Sequence, residues 1–313
     1  MSNGSYEQTK QGGFAVTDAP TYSSLPGGSA WGCFGSDDVL GTLNRQTPAT
    51  IARASKLVVT GTMFSLNGPL NWPNPPLFNR RPVEHTVYKT DLGNRDDYLD
   101  SFYPQVSSQW DGFQHFKDPE LGFYNGLEPE RLGVDAWARR GIAGRAVLLD
   151  AGRFFAAEGR ALDWRSDTQI TVDELEAIRL ASGVDKQPGD IVLLRTGWVA
   201  AYNEASAEER LALRSDLRCP GLAHDKSIAE YLWDWGASAV AGDNIGLEAM
   251  PTGSFGLHAQ LLGRLGMPIG ELWWLDDLAE HSARDGRFES FLTSAPLNVP
   301  GGVGSTANAI AFK

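Results

Sequence analysis

Arg145-Ala-Val-Leu-Leu-Asp150 is a continuous apolar run of strand length, and Asp190-Ile-Val-Leu-Leu-Arg195 is a second one further along the chain. Apolar runs of this length without polar alternation suit strands that are buried in a sheet. Between them, Thr171-Val-Asp-Glu174 has the spacing of a capping box, in which hydroxyl and carboxylate satisfy free backbone N–H groups at a helix start. Val172, Leu175 and Ile178 then share one helix face, and Gly183 ends that helix. A helix around Ile228–Trp235 leads to a third apolar run, Ala237 to Ala241. Strands alternating with helices predict an α/β domain with at least a partly parallel sheet.

Working outward, Gly133 to Arg140 reads as a short helix stopped at Gly141, and Pro48 to Ala54 as another. Val58–Val59 and Met63–Leu66 are β-type apolar runs. The segment NWPNPPLFNRRP, residues 71–82, has too many prolines for a helix or a central strand and reads as an ordered surface loop. Residues 1–28 are polar and rich in Gly, Ser and Thr, which predicts an N-terminal arm, with the packed body beginning near Trp31. A length of 313 residues allows two units or one elaborated domain. Neither a repeat nor a linker follows residue 30, so 29–313 is taken as one domain.

Composition narrows the function. The net charge is −12 and no basic run exists, so a nucleic-acid backbone would be repelled. No stretch approaches the ~20 apolar residues that cross a bilayer. The first twenty residues lack the apolar core and basic flank of a secretory signal, so a cytoplasmic location is expected. Cys33 and Cys219 stand far apart with no Cys/His ligand spacing, which argues against a disulfide framework, a structural zinc knuckle or an activated thiol.

The stretch richest in chemistry is Gln105-Val-Ser-Ser-Gln109-Trp-Asp111-Gly-Phe-Gln-His115. If it is extended, side-chain alternation puts Gln105, Gln109, Asp111 and His115 on one face. A carboxylate, an imidazole and two amide oxygens are ligand types for a divalent cation or partners for a polar substrate. The same spacing also describes a strand with a polar, solvated face. Glu271 lies in the apolar run Pro-Ile-Gly-Glu-Leu-Trp-Trp-Leu, where a buried carboxylate requires a metal or an arginine, unless it faces solvent. His258 opens an apolar stretch of helical type. His85 alternates like a strand residue and either borders a pocket or faces solvent, while His224 and His281 read as surface residues.

Residues 105–115 resemble the cyclase-family pattern His-x-Gly-Thr-His-x-Asp-x-x-x-His, with Asp111 and His115 matching and Ser108 standing for the threonine. Gln105 and Gln109 replace its first two histidines, and Gln109-Trp-Asp-Gly112 is similar to a subgroup of that family. Asp38-Val-Leu-Gly-Thr-Leu-Asn44, Arg140 to Asp150, Gly189 to Trp198, Gly242 to Glu248, His258-Ala-Gln-Leu-Leu and Gly266-Met-Pro-Ile-Gly-Glu271 extend the resemblance over nearly the whole chain.

The resemblance, which includes kynurenine formamidases and isatin hydrolases, implies a swivelling β/β/α-type α/β domain with a mixed sheet, forming a homodimer or homotetramer. It implies a hydrolase that opens an amide, cyclic amide or lactone by attack of a metal-bound water, acting on a small aromatic or cyclic substrate. Asp111, His258 and Glu271 become metal ligands, and Gln109 and Gln105 add neutral oxygens. His115 becomes the proton shuttle, near the ion but not on it. Asp243, Glu248 and Ser108 orient the ligands. His85, Trp110 and Phe113 contact the substrate. One divalent ion is expected, Mn2+ before Zn2+, because oxygens outnumber nitrogen and no thiolate is available. Two other readings remain: a secondary-metabolite cyclase or dehydratase using the same site, and a metal-free binding protein whose glutamines have abolished metal affinity.

Overall fold

The apolar runs become neighbouring strands of one sheet in a computed structural model, which describes residues 20–252 and 256–313. In chain order the strands are β1 (Met63–Ser65), β2 (Glu84–Lys89), β3 (Arg95–Asp100), β4 (Gln109–Asp111), β5 (Ile142–Asp150), β6 (Gln169–Ile170) and β7 (Ile191–Arg195). They continue with β8 (Gly221–Leu222), β9 (Ala239–Gly242), β10 (Ile269–Glu271), β11 (Glu289–Ser294), β12 (Gly304–Thr306) and β13 (Ala309–Phe312). The helices are α1 (Pro48–Ala54), α2 (Asp135–Arg140), α3 (Ala151–Ala157), α4 (Val172–Ala181), α5 (Trp198–Glu204), α6 (Ala207–Ala212), α7 (Lys226–Trp235) and α8 (Asp276–Asp285).

Nine strands form a mixed sheet in the order β1-β13-β11-β5-β7-β9-β10-β4-β12. Its centre, β5-β7-β9-β10, is parallel, and antiparallel strands flank it on both sides. Val147, Leu148 and Leu149 of β5 and Val192, Leu193 and Leu194 of β7 are buried in succession, as strands covered on both faces must be. Each such side chain contributes roughly 1.5–3 kcal/mol over leaving it in water. The predicted capping box forms at Thr171 and Glu174, and α4 buries Leu175 and Ile178. Gly183 follows α4 at φ +66°, a conformation that suits a residue without a Cβ. Helices α3 and α4 join β5 to β7, and α5 to α7 lead from β7 to β9. The expected mixed α/β architecture is what the chain adopts.

Some local expectations differ. Val58 and Val59 form no strand and are exposed, since only Met63–Ser65 finds a partner, in β13. The proline-rich loop is irregular, as expected, yet it is pinned by buried Trp72 and Leu77, and Trp72 Nε1 donates to Asn203 Oδ1 at 2.8 Å. Residues 1–19 of the expected arm lie outside the described residues. Residues 20–28 pack ahead of Trp31: Tyr22 and Leu25 are buried, Tyr22 N donates to Asp234 Oδ1 at 2.7 Å, and Trp233 Nε1 donates to the Pro20 carbonyl. Among the described residues no helix is long and apolar enough to cross a membrane.

Candidate metal centre

Strands β4 and β10 pair antiparallel, with Gln109 opposite Glu271 and Asp111 opposite Ile269. Alternation therefore places Gln109, Asp111 and Glu271 on one face and Trp110 on the other. Glu271 ends a parallel strand, at the carboxyl edge where open α/β sheets gather their functional groups. His258 immediately precedes the π-helical turn Ala259–Arg264. Glu248 anchors that turn: its carboxylate accepts from Leu257 N at 2.9 Å and lies 2.6 Å from His258 Nδ1. An imidazole held at Nδ1 by a carboxylate presents Nε2 in a fixed direction. That Nε2 lies 3.0 Å from Glu271 Oε1 and 3.5 Å from Asp111 Oδ2.

Asp111, His258 and Glu271 each offer one ligand atom, all within 4.8 Å of one another and all buried. Adjacent ligands on an ion with bonds near 2.1 Å stand roughly 3.0–3.5 Å apart, which the separations around Nε2 match. Asp111 Oδ2 is buried without a hydrogen-bond donor, a costly state that a cation relieves. The residues present fit a divalent cation.

The electrostatics agree. Burial raises the Glu271 carboxyl above its ordinary value, and the neighbouring Asp111 charge adds to this. Burial also pushes Asp111 upward, but the His258 and His115 imidazoles and the Gln105 amide outweigh it and hold the group ionised. Burial opposes a charge on His258, yet the three carboxylates that face its ring nitrogens, Asp111, Glu248 and Glu271, raise its pKa well above the usual imidazole value. Without a cation, a proton on His258 therefore does part of the neutralising. His115 is pushed the other way: burial lowers it, Asp111 opposes, and His258 and Arg80 add to the lowering. It is a neutral imidazole at pH 7, able to accept a proton.

The stretch 105–115 is extended only over β4. A turn joins Tyr103 to Val106, and another carries His115 N back to the Gly112 carbonyl at 2.9 Å. His115 still reaches the site, its ring centroid 6.4 Å from that of His258. Gln105 and Gln109 are also there, but they present nitrogen to the carboxylates where oxygen ligands were expected. Gln109 Nε2 donates to Glu271 Oε2 at 2.6 Å and Asp111 Oδ1 at 3.3 Å, and Gln105 Nε2 donates to Asp111 Oδ1. Ionised carboxylates only accept, so the amide NH2 end must face them.

Other expected positions are corrected. Trp110 is fully buried, its ring centroid 4.8 Å from that of Trp273 and its Nε1 donating to Ser294 Oγ at 2.9 Å. Phe113 is fully buried against Tyr124 and Trp137. Neither has surface to offer a substrate. His85, by contrast, keeps one of its two sequence readings: on the exposed β2–β3 hairpin it pairs with Asp97 at 2.6 Å and borders a cavity with Leu70, Val83 and Leu99, apart from the Asp111–His258–Glu271 cluster. Asp243 touches no ligand; it accepts from Thr196 N and Oγ1 and from Gly197 N, which fixes the turn into α5. Ser108 Oγ donates to the Leu272 carbonyl at 2.5 Å and accepts from Gly68 N, so it ties the start of β4 to the residue after Glu271. Glu248 is the one group of the three that orients a side chain of the cluster directly.

His224 and His281 have mostly buried side chains, His224 beside the Ala249 carbonyl and His281 beside Asp285 and Phe64, so neither is a surface residue. Burial pushes the Cys219 thiol up to about 12 and raises Cys33 as well, so neither thiol is activated. Sequence reading missed two neighbours of the site. Phe116, a residue 45% exposed, packs against His115 and His258, and the half-buried Arg80 guanidinium donates to the Gln105 carbonyl. Both lie in irregular segments where no periodicity marks them; adjacency to His115 was the only signal for Phe116.

The family model described as "Putative cyclase" matches residues 59–249. The crystal structure of a novel cyclase superposes with a TM-score of 0.82 at 33% identity, covering 91% of this chain and 99% of that one. An isatin hydrolase bound to the product analogue thioisatinate superposes with a TM-score of 0.58 at 20% identity, covering 82% and 93%. A "potential metal-dependent hydrolase with cyclase activity" gives 0.51 at 18% identity, covering 80% and 98%. At those identities the last two share the fold. Among curated proteins no sequence matches. With a family match over more than half its length and a one-third-identical cyclase structure along nine-tenths of it, this chain belongs to the cyclase family.

Proposed function

We propose that the chain is a metal-dependent hydrolase that opens an amide, cyclic amide or lactone in a small aromatic or cyclic substrate. The observation that carries this reading is the buried Asp111–His258–Glu271 cluster backed by Glu248. Superposition on an isatin hydrolase that holds a product analogue supports the substrate class.

A divalent ion, when bound, supplies Lewis-acid activation of a carbonyl and of a water molecule. Asp111 and Glu271 balance its charge and His258 adds a nitrogen, an oxygen-rich set that ranks Mn2+ before Zn2+. His115, neutral at pH 7, accepts the proton of the attacking water and returns it to the departing nitrogen or oxygen. The exposed face of Phe116 offers an apolar wall beside both imidazoles.

Protein stripped with a chelator and reloaded with Mn2+ should hydrolyse at least one of an N-formylaniline, an isatin-type cyclic amide and an aryl lactone, and the stripped protein should hydrolyse none. Mass analysis should show a single product heavier by one water from the cyclic amide or the lactone, and an aniline plus formate, together heavier by one water, from the N-formylaniline. A product of unchanged mass, or one lighter by a water, would replace hydrolysis by cyclisation or dehydration.

A further inference from the structure

We propose that Gln109 and Gln105 are amide donors that hold the two carboxylates in place and are not ligands of the ion. The protein's own contribution to the ion is then two carboxylate oxygens and one imidazole nitrogen. The inference rests on the cation site proposed above.

Each carboxylate divides its two oxygens between two tasks. Glu271 Oε2 and Asp111 Oδ1 receive the glutamine amides. Glu271 Oε1 and Asp111 Oδ2 face His258 Nε2. The oxygens that would bind an ion are thus the ones the glutamines leave alone. The pairing is built into the sheet, because Gln109 stands directly opposite Glu271 across the β4–β10 ladder and shares a face with Asp111.

Gln105 is equally constrained. Its backbone carbonyl accepts from Arg80, and its side chain lies over Gly304, where a Cβ would come within 2.5 Å of Gln105 Cγ and Cδ. Turning either amide over to offer its oxygen would set two acceptors against each other in a buried pocket and leave the carboxylates short of donors. Gln109 Oε1 is likewise buried without a donor, so its exclusion from the ion rests on the amide nitrogen being held between Glu271 and Asp111.

A donor and a ligand respond differently to mutation. Gln109→Leu removes the amide at similar volume, and Gln105→Leu does the same at the second position; the two are measured separately, so one poorly folding variant leaves the other. For a donor, the melting temperature in excess chelator should fall by about 4 °C, because buried carboxylates lose a hydrogen bond. The rise in melting temperature on adding MnCl2 should persist, lowered at most by the roughly 10–100-fold in affinity that a group orienting a ligand contributes. The visible absorption of the Co2+-loaded protein should keep its band positions and intensity.

A chelator-form melting temperature equal to wild type overturns the donor role. An abolished Mn2+ increment or an altered Co2+ spectrum overturns the exclusion of the glutamines from the ion. If the wild-type protein responds to none of Mn2+, Zn2+ and Co2+, the proposed metal-dependent function fails, and the chelator-form measurement alone still decides whether the amides stabilise the carboxylates.

Discussion

Glu271→Gln is expected to lower metal affinity by at least ~100-fold, beyond the 10–100-fold that follows loss of a group merely orienting a ligand. The glutamine keeps the volume of the side chain, so the metal-free protein should still fold. It removes one of two negative charges that balance the cation and leaves at most a neutral amide oxygen where Glu271 Oε1 lies 3.0 Å from His258 Nε2. Turnover should fall with occupancy and return only at much higher Mn2+. Metal content after dialysis, with the melting temperature in chelator as control, checks both halves. A purely structural Glu271 would give the reverse pattern, with lower thermal stability and unchanged metal content.

His115→Ala should keep the ion and lose rate by on the order of 10²–10⁴-fold, the contribution of a positioned proton acceptor. The wild-type pH–rate profile should carry an acid limb, because activity needs the neutral imidazole and falls as protonation removes it. Burial holds this imidazole below its ordinary value, so the limb lies on the acid side of neutrality. The variant should lack that limb. An emptied site in His115→Ala would make the residue a ligand, and a full rate with full metal would leave proton transfer to water alone.

The α/β centre was legible because its signals are local: the runs at 145–150 and 190–195, the Thr171–Glu174 cap and Gly183 each act over a few residues, and tertiary packing agreed with them. The site is different, since Asp111, His258 and Glu271 come from segments far apart in sequence, and spacing alone left a solvated strand as an equal reading. Resemblance to a family brought them together. Alternation could have removed Trp110, because the period that unites Gln109 with Asp111 sends the residue between them to the opposite face. Phe113 was lost to the turn after Gly112, which breaks the extended run. The direction of the glutamine amides depends on the β4–β10 register, which the sequence of either strand does not contain.

A cation held by Asp111, His258 and Glu271 is tested most directly by titrating chelator-treated protein with Mn2+ in a calorimeter. The expected result is one ion per chain in the wild type and in His115→Ala, and no saturable binding in Glu271→Gln over the same concentrations. Wild-type protein that binds neither Mn2+ nor Zn2+, or Glu271→Gln that binds as the wild type does, would contradict it.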